Sequence, residues 1–298
     1  MSPFKKVALL GKGSLGSLVL DELLKAQFEV TILTRSAKST DVIPAGATIK
    51  EVDYASIESL KSALAGHHVV ISTVTPAAIP LQEPIIDASI AVGVKRFIPA
   101  EFGAMTSDLK GKKLPFHADA VEIQRYLAEK SETSGIQYTI FAVGLFMEML
   151  FTTPIGVNFV GRNVALFDNG EQVFSASRMS TVAKAVVASL QKPEETKNRL
   201  IRVHDTVLTQ RRIYDLAKKW TPGENWNETH LDAEEQVQHA LAQLQRNFDP
   251  ALIPRLFVAA LLSGNYGSEY KSVDNELVGL GFMSDEEVEK FGLGLVKL

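Results

Sequence analysis

Three glycines near the N-terminus have the spacing of a phosphate-binding turn. Gly11, Gly13 and Gly16 follow the apolar run 7–10 in the order G-x-G-x-x-G. In such a turn the first glycine permits a tight bend, the second lets the backbone approach a pyrophosphate, and the third lets the next helix pack closely. Apolar residues recur at helical spacing over 15–24, so a helix N-terminus follows and offers N–H groups to an anion. The pattern predicts a dinucleotide site, the alternative being a structural turn without a ligand.

A second predicted strand, residues 28–34, ends in Arg35, about twenty residues after the glycines. An acidic residue here favours NAD through the ribose 2′-OH, whereas an arginine favours the 2′-phosphate of NADP. We therefore predict NADP(H) as the cofactor. Lys12 and Lys38 would add positive charge at the same phosphate, although lysines beside loops are equally explained as solvated surface residues. Ser14 and Leu15, between the second and third glycines, complete the predicted phosphate loop.

Composition limits the classes of function. The chain has 298 residues, of which 46% are hydrophobic, so it can bury a large core. Its formal net charge of −4 provides no basic surface for nucleic acid, and it contains no cysteine for disulfides or thiolate chemistry. The six histidines lack metal-ligand spacing, so we expect no metal. The first strand begins near the N-terminus and no apolar run reaches about 18 residues, so we expect a cytoplasmic protein without leader or membrane span.

Strands and helices are predicted to alternate along the first half of the chain. This order predicts an α/β fold, a Rossmann doubly wound parallel sheet of six strands through residue 143, with a smaller C-terminal α+β substrate domain. We predict an NADP-binding domain over 1–155, to which 178–203 returns, and a substrate-binding or lid part over 156–177 and 204–298. Within that part, 163–174 is predicted to form a hairpin that turns at 168–170. The predicted strands are 47–52, 68–74, 94–99 and 137–143, and the predicted helices are 56–64, 81–92 and 121–134.

Two predicted loops lie at the carboxyl ends of strands, where doubly wound sheets bind ligands. The first contains Thr73, Val74, Thr75 and Pro76. The second is the loop 101–103, formed by Glu101, Phe102 and Gly103. We expect both loops to contact the cofactor, with the substrate lying above the second.

The second loop also carries a resemblance to a known family. Residues 97–103, F-I-P-A-E-F-G, resemble the F-[IL]-P-S-E-F-G signature of isoflavone reductase-like (phenylcoumaran benzylic ether reductase) enzymes. These form a branch of the NmrA-like, atypical short-chain dehydrogenase family. The resemblance covers nearly the whole chain, loosely after residue 160, and is closest in style to fungal members that serve secondary metabolism. Further matching segments are 11–16 with Thr34 and Arg35, 69–76, 91–96, 135–139 and 144–146.

The resemblance implies a reductase that transfers hydride from NADPH to an aryl ether, an enone or an imine-like carbon, with a lysine that assists with a proton. In the fungal pattern, F-K-D-K-x-x-x-Q follows a Leu-Pro pair. Here Leu114 and Pro115 are followed by F-H-A-D-A-V-E-I-Q over 116–124. Ala118 and Ala120 stand at both lysine positions, so the usual acid/base residue is predicted to be missing.

Several groups are alternatives for the missing lysine. His117 is adjacent, and an unperturbed imidazole with a pKa of about 6.5 exchanges protons at neutral pH. Lys112 and Lys113 on the preceding loop, or a buried Asp119, are further candidates. Alternatively no protein acid is needed, because water or the substrate supplies the proton. The fold would also suit a redox-neutral cyclisation, isomerisation or dehydration in which the cofactor shapes the pocket.

Apolar segments in the second half of the chain are candidates for the substrate pocket. Phe146 and Met147 belong to the apolar run 145–151, which either walls a pocket or fills the core. The resemblance assigns the apolar helix within 254–267 to a small domain that covers the nicotinamide. Its candidate pocket residues are Phe257, Leu261 and Tyr266, and the Tyr266 hydroxyl is a candidate catalytic group that orients a substrate oxygen.

Taken together, these patterns predict an NADPH-dependent oxidoreductase that acts on a hydrophobic aromatic or heterocyclic small molecule: an enone, an imine or a benzylic ether. One alternative is a redox-neutral enzyme that retains the NADP site. Another is an NADP-sensing regulator that acts through protein contact, as NmrA-like proteins include such sensors. We expect a monomer or homodimer with no nucleic-acid or membrane partner.

Overall fold

The computed structural model describes residues 3–36 and 43–296, so the predicted Lys38 lies outside the described residues. The strands, numbered in chain order, are β1 (Lys6–Leu10), β2 (Glu29–Thr34), β3 (Ala47–Glu51), β4 (Val69–Ser72), β5 (Arg96–Ile98), β6 (Phe102–Gly103), β7 (Gln137–Ala142), β8 (Leu145–Phe146), β9 (Val157–Asn158), β10 (Asn163–Phe167), β11 (Val173–Ser177), β12 (Arg199–Arg202), β13 (Thr206–Thr209) and β14 (Asn227–Leu231). The α-helices are α1 (Ser14–Lys25), α2 (Ile57–Leu64), α3 (Gln82–Ala91), α4 (Ala118–Ser134), α5 (Met147–Thr152), α6 (Met179–Gln191), α7 (Pro193–Thr196), α8 (Gln210–Trp220), α9 (Ala233–Arg246), α10 (Leu252–Leu262) and α11 (Asp285–Leu295).

The main sheet has eight strands in the order β12-β7-β5-β4-β1-β2-β3, with β6 beside β7, and every pair in it is parallel. The chain builds outward from β1 through β2 and β3, then returns to add β4 on the other side. This reversal opens a crevice at the carboxyl ends of β1 and β4, where such sheets bind ligands. The predicted Rossmann fold class is confirmed.

Helices cover both faces of the main sheet because its central strands are apolar on both sides. On one face α1 packs against α6, where Leu20 and Val186 are buried together with Leu9. On the other face α2, α3 and α4 share a second cluster that includes Ile86 and Ile123. The glycine loop therefore joins a buried strand to a helix that is held by another helix from far along the chain.

The strand β12 extends the main sheet beyond the six strands that were predicted up to residue 143. Leu200 lies opposite Ile140 of β7 in parallel register. A later segment, residues 274–283, covers the outer edge of β12. The Asp274 N–H donates to the Arg202 carbonyl at 2.6 Å, and the Arg202 N–H donates to the Asp274 carboxylate at 2.9 Å. This edge is thus occupied by coil, which protects it from pairing with another chain.

The remaining residues form a smaller part with two three-stranded sheets, β14-β10-β9 and β13-β11-β8. The predicted hairpin over 163–174 is wrong, since β10 pairs with β14 and β11 pairs with β13. The cause lies in the turn, where Asp168, Asn169 and Gly170 all have positive φ angles of 45°, 64° and 77°. These conformations form a short 3₁₀ turn that directs β11 out of the sheet that contains β10. Within the described ranges, no helix is long and apolar enough to cross a membrane.

Candidate active site

The glycine loop lies at the carboxyl end of β1, and each glycine has a different role. Gly11 has a φ angle of +90°, and a Cβ there would lie 2.8 Å from the Thr73 carbonyl oxygen. A Cβ on Gly16 would lie 2.3 Å from the Gly11 carbonyl oxygen. A Cβ on Gly13 would meet no atom within 4 Å. Gly11 and Gly16 are therefore required by the loop itself, whereas the space above Gly13 is open to a ligand.

The N-terminus of α1 faces this open space without a protein partner for its charge. Gly13 is the N-cap residue, no side chain caps the helix, and its first turn contains no acidic residue. Such an end offers backbone N–H groups and the positive end of the helix dipole to an anion. Ser14 and Leu15 begin this turn, and Lys12 is exposed just before it. These are the features that a pyrophosphate needs.

Thr73, which was expected along the cofactor, holds the glycine loop with its side chain. Its hydroxyl lies 3.1 Å from the Leu10 carbonyl oxygen and 2.9 Å from that of Gly11. Thr75 and Pro76 are exposed and begin the 3₁₀ turn Pro76–Leu81, whereas Val74 packs against the apolar cluster beneath α2, α3 and α4. Thr73 therefore fixes the shape of the glycine loop.

Arg35 lines a cavity of about 700 Å³ at the end of β2. Arg35 is the one cation among the described residues that line the cavity. The wall beside it is held by Tyr54, whose hydroxyl donates to the Leu33 carbonyl at 3.2 Å. The carboxylates of Glu51 and Asp53 also line the cavity, which has the volume of a small-molecule site.

Glu101 follows β5 and is buried, with 6% of its surface exposed. The Gln124 side chain donates from Nε2 to both carboxylate oxygens at 2.6 Å, and the Thr106 hydroxyl also donates to Oε1. Burial raises the pKa of Glu101 from 4.5 to about 7, more than these hydrogen bonds lower it. Glu101, predicted to contact the cofactor, thus has partners from its own chain.

The rest of the loop 101–103 is fixed by β6 and by a tyrosine from the far end of the chain. Phe102 stacks on Phe141 with ring centroids 6.1 Å apart. The Tyr270 hydroxyl donates to the Gly103 carbonyl oxygen at 3.1 Å and accepts from the Gly144 N–H at 3.2 Å. No local sequence signal connects Tyr270 with this loop, because the contact spans 167 residues.

His117 is buried beside α4, and its ring has a defined tautomer. Its Nδ1 lies 2.9 Å from the Gly111 carbonyl oxygen, which only accepts, so Nδ1 carries the proton. Burial lowers the pKa of His117 below 6.5, which keeps the ring neutral at pH 7. The remaining nitrogen, Nε2, is then a hydrogen-bond acceptor. His117 also packs on Phe116, with ring centroids 4.3 Å apart, and Phe116 contacts Phe257 at 5.7 Å.

The other candidates for the missing lysine differ in where they face. Ala120 is buried on the inward face of α4, whereas Ala118 is exposed. Lys112, Lys113 and Asp119 are also exposed. The inward face at the start of α4 therefore carries His117, Ala120 and Gln124. Gln124 was not among the predicted site residues, although it stands at the glutamine that ends the fungal pattern F-K-D-K-x-x-x-Q.

Tyr266 is buried, and its hydroxyl donates to the Glu234 carboxylate of α9 at 2.9 Å. Burial and this carboxylate raise the pKa of Tyr266 to about 12. Among the predicted pocket residues, Met147 and Leu261 are fully buried in the core of the smaller part. Phe146 packs on the main-sheet cluster instead, and Phe257 is only partly buried. Phe257 thus contacts Phe116, which in turn packs on His117, and it shares one apolar cluster with Met147, Leu261 and Tyr266, whereas Phe146 lies in another.

The fold and the loop geometry define a class, that of dinucleotide-binding α/β proteins with a doubly wound sheet. In the described part of the chain, no group of three or more acidic or histidine side chains is placed to hold a metal ion. The chain matches the NmrA-like family over residues 4–251, and it belongs to this family.

Individual relatives agree with this assignment. The oxidoreductase aprR of Aspergillus flavus is 34% identical over 292 residues, which cover 95% of this chain and 97% of aprR. The isoflavone reductase homolog P3 of Arabidopsis thaliana is 28% identical over 251 residues, 78% of this chain and 79% of that protein. Among solved structures, the binary complex of leucoanthocyanidin reductase with NADPH from Vitis vinifera has a TM-score of 0.75 at 19% identity, and the match covers 98% of this chain and 100% of that one. This structural likeness concerns the fold.

Proposed function

We propose that the protein is an NADPH-dependent reductase of a hydrophobic aromatic or heterocyclic small molecule, an enone, an imine or a benzylic ether, in secondary metabolism. The observation that carries the proposal is Arg35, the one described cation of a cavity at the same sheet edge as the uncapped start of α1. Its relative aprR bears the name oxidoreductase, and the leucoanthocyanidin reductase of similar fold binds NADPH. The cytoplasmic location and the choice between monomer and homodimer stay predictions.

The residues of the site fit NADPH. The open space above Gly13 admits a pyrophosphate, and the backbone N–H groups at the start of α1 bind it. Arg35 offers its guanidinium fork to the 2′-phosphate. The bound cofactor supplies hydride from C4 of its nicotinamide. The fit therefore rests on the open space above Gly13, the N–H groups at the start of α1 and the guanidinium of Arg35.

The substrate is placed by the residues that surround His117. Phe116 and Phe257 provide an apolar surface that excludes water from an aromatic ring. His117 accepts a hydrogen bond at Nε2 and so orients a substrate O–H or N–H group. Because burial lowers the pKa of His117, we assign it the role of acceptor and not that of proton donor. This proton comes from solvent or from the substrate itself.

The proposal is tested by two measurements on the purified protein. Fluorescence titration compares the affinity for NADPH with that for NADH. Single-turnover absorbance of the nicotinamide then follows the reaction with aromatic enones, imines and benzylic ethers. Tight NADPH binding and loss of the reduced-nicotinamide band with one of these compounds support the reductase.

Two other outcomes would contradict it. Conversion of a substrate without cofactor oxidation indicates a redox-neutral enzyme. Unequal binding of oxidised and reduced cofactor, with no conversion of any compound, indicates a sensor.

A further inference from the structure

Gln124 and Glu101 form a pair in which one side chain determines the orientation of the other. The Nε2 atom of Gln124 lies 2.6 Å from each carboxylate oxygen of Glu101. Thr106 supplies the only other side-chain hydrogen bond to this carboxylate within the described ranges, and no lysine or arginine there forms an ion pair with it. The side-chain amide of Gln124 is thus the main hydrogen-bond donor to the buried carboxylate of Glu101.

This contact determines where the carbonyl oxygen of Gln124 points. Above pH 7 the Glu101 carboxylate is ionised and only accepts hydrogen bonds, so a flipped amide would place two acceptors against each other. The amide nitrogen therefore faces Glu101, and Oε1 lies on the other branch of the amide, away from the carboxylate. Among residues 3–36 and 43–296 the hydrogen bonds of the Gln124 side chain come from Nε2 and none reaches Oε1, and Gln124 is only partly buried.

The pair lies at the ligand-binding edge of the main sheet. Glu101 follows β5, at the same edge as the glycine loop after β1. On α4, residues 117, 120 and 124 share one face, since their spacing is three and then four residues. Ala120 carries only a methyl group between His117 and Gln124, which are separated by ~10 Å along the helix axis.

We propose that Gln124 is a specificity-determining residue of the substrate pocket and that Glu101 is the residue that positions it. The Gln124 carbonyl oxygen accepts a hydrogen bond from a hydroxyl or N–H group of the substrate, at one end of a face whose other end is the Nε2 acceptor of His117. Two acceptors beside an apolar surface select a phenol-bearing or N–H-bearing aromatic compound over its methylated form. This inference rests on the proposed function, since it takes the carboxyl edge of the sheet to be the substrate side.

The test uses matched pairs of aromatic enones or imines, a free phenol and its methyl ether, with kcat/KM measured at pH 8.5. The wild-type protein is expected to prefer the phenol at least tenfold, because a bound methyl ether would cover the acceptor without pairing it. Gln124→Met keeps the length of the side chain and removes the acceptor, so the preference falls at least tenfold. Gln238→Leu is the matched control, because Gln238 lies on α9 and donates to Glu234.

Glu101→Gln tests the positioning role. It removes the charge that orients the Gln124 amide, so the preference for the phenol, measured at saturating NADPH, is expected to fall. A phenol preference that survives in Gln124→Met, or that is lost equally in Gln238→Leu, overturns the inference.

A failure of the proposed function is distinguished from a failure of this inference by a binding measurement. If no compound oxidises the bound cofactor, calorimetric Kd values of each phenol and methyl ether replace the kinetic ratio. The wild-type protein then still binds the phenol more tightly, and Gln124→Met does not. Equal Kd values for each pair in both proteins contradict the role of Gln124 independently of any turnover.

Discussion

Gly16 lies so close to Gly11 that a Cβ on Gly16 would be 2.3 Å from the Gly11 carbonyl oxygen. The start of α1 is therefore packed directly on the turn that precedes it. Gly13, between them, has no such neighbour. The same motif thus contains two glycines that the fold requires, Gly11 and Gly16, and one that only a ligand would require.

The variants Gly13→Ala and Gly16→Ala should separate these two roles. A methyl group at position 16 meets backbone atoms that cannot move aside, so the free energy of unfolding should fall by about 2 kcal/mol or more. A methyl group at position 13 meets no protein atom, so stability should change by less than about 0.5 kcal/mol. Its NADPH affinity should still fall at least tenfold, because the methyl group occupies the space of the pyrophosphate. Urea unfolding and fluorescence titration measure the two effects, and unchanged NADPH affinity of Gly13→Ala would show that no phosphate approaches this loop.

Arg35→Ala should change which cofactor is preferred. Loss of a charge-assisted hydrogen bond costs about 1.5–3 kcal/mol, so NADPH binding should weaken about 10- to 100-fold. NADH lacks the 2′-phosphate, and its affinity should change less than about threefold. Lys95→Ala is a control for net charge, because the exposed Lys95 precedes β5 at the opposite edge of the sheet. Equal weakening of NADPH and NADH by Arg35→Ala would assign the 2′-phosphate to another residue.

The buried carboxyl of Glu101 should make stability depend on pH. Its pKa of about 7 in the folded protein exceeds its ordinary value of 4.5, so the folded state holds the proton more tightly than the unfolded state. This contribution is fully present below pH 4.5 and is lost as the pH rises to about 7. Thr106 and Gln124, which donate hydrogen bonds to the carboxylate, oppose this shift without cancelling it.

The loss should be on the order of 3 kcal/mol in the free energy of unfolding. Glu101→Gln lacks this titration, so its stability should fall less than that of the wild-type protein between pH 5 and pH 8. Urea unfolding at these pH values measures the difference. Glu286→Gln, on the exposed surface of α11, should follow the wild-type curve. A curve for Glu101→Gln that parallels the wild type would show that Glu101 stays ionised throughout.

Tyr266→Phe should affect stability more than turnover. The hydroxyl donates to Glu234, so its removal should cost about 1 kcal/mol in the free energy of unfolding. Glu234 keeps Asn265 and Gln238 as donors, so α9 stays in place. The kcat of the best substrate should change less than about twofold. A large loss of kcat without loss of stability would instead support the sequence-based hypothesis that this hydroxyl orients the substrate.

The sequence predicted those features that depend on neighbouring residues. The glycine loop and the strand before it follow from local spacing, and the alternation of apolar runs with helical patterns predicted the parallel sheet. The partners of β10 and β11 did not follow from local pattern. Asp, Asn and Gly also occur in hairpin turns, so the residue types at 168–170 did not reveal the conformation that directs β11 away from β10 and towards β13.

The candidate site shows the same limit. His117 was predicted as a group that donates or accepts a proton, but its neutral tautomer depends on the carbonyl of Gly111 and on burial. Likewise the residue type showed that Tyr266 carries a hydroxyl group. That this hydroxyl donates a hydrogen bond to Glu234 depends on the packing of α9. The contact between Glu101 and Gln124 joins a strand end to a helix. Such contacts arise from the assembled layers, which no local pattern encodes.

The packing of α6 on α1 has a consequence for biosynthesis. The helix that presents the glycine loop is synthesised early, but the apolar side that holds it in place is covered by Met179–Gln191, more than a hundred residues later. A nascent chain that has emerged only through β7 therefore leaves the apolar side of α1 exposed to water where α6 will pack. The helix behind the glycine loop acquires its final support only after α6 has left the ribosome.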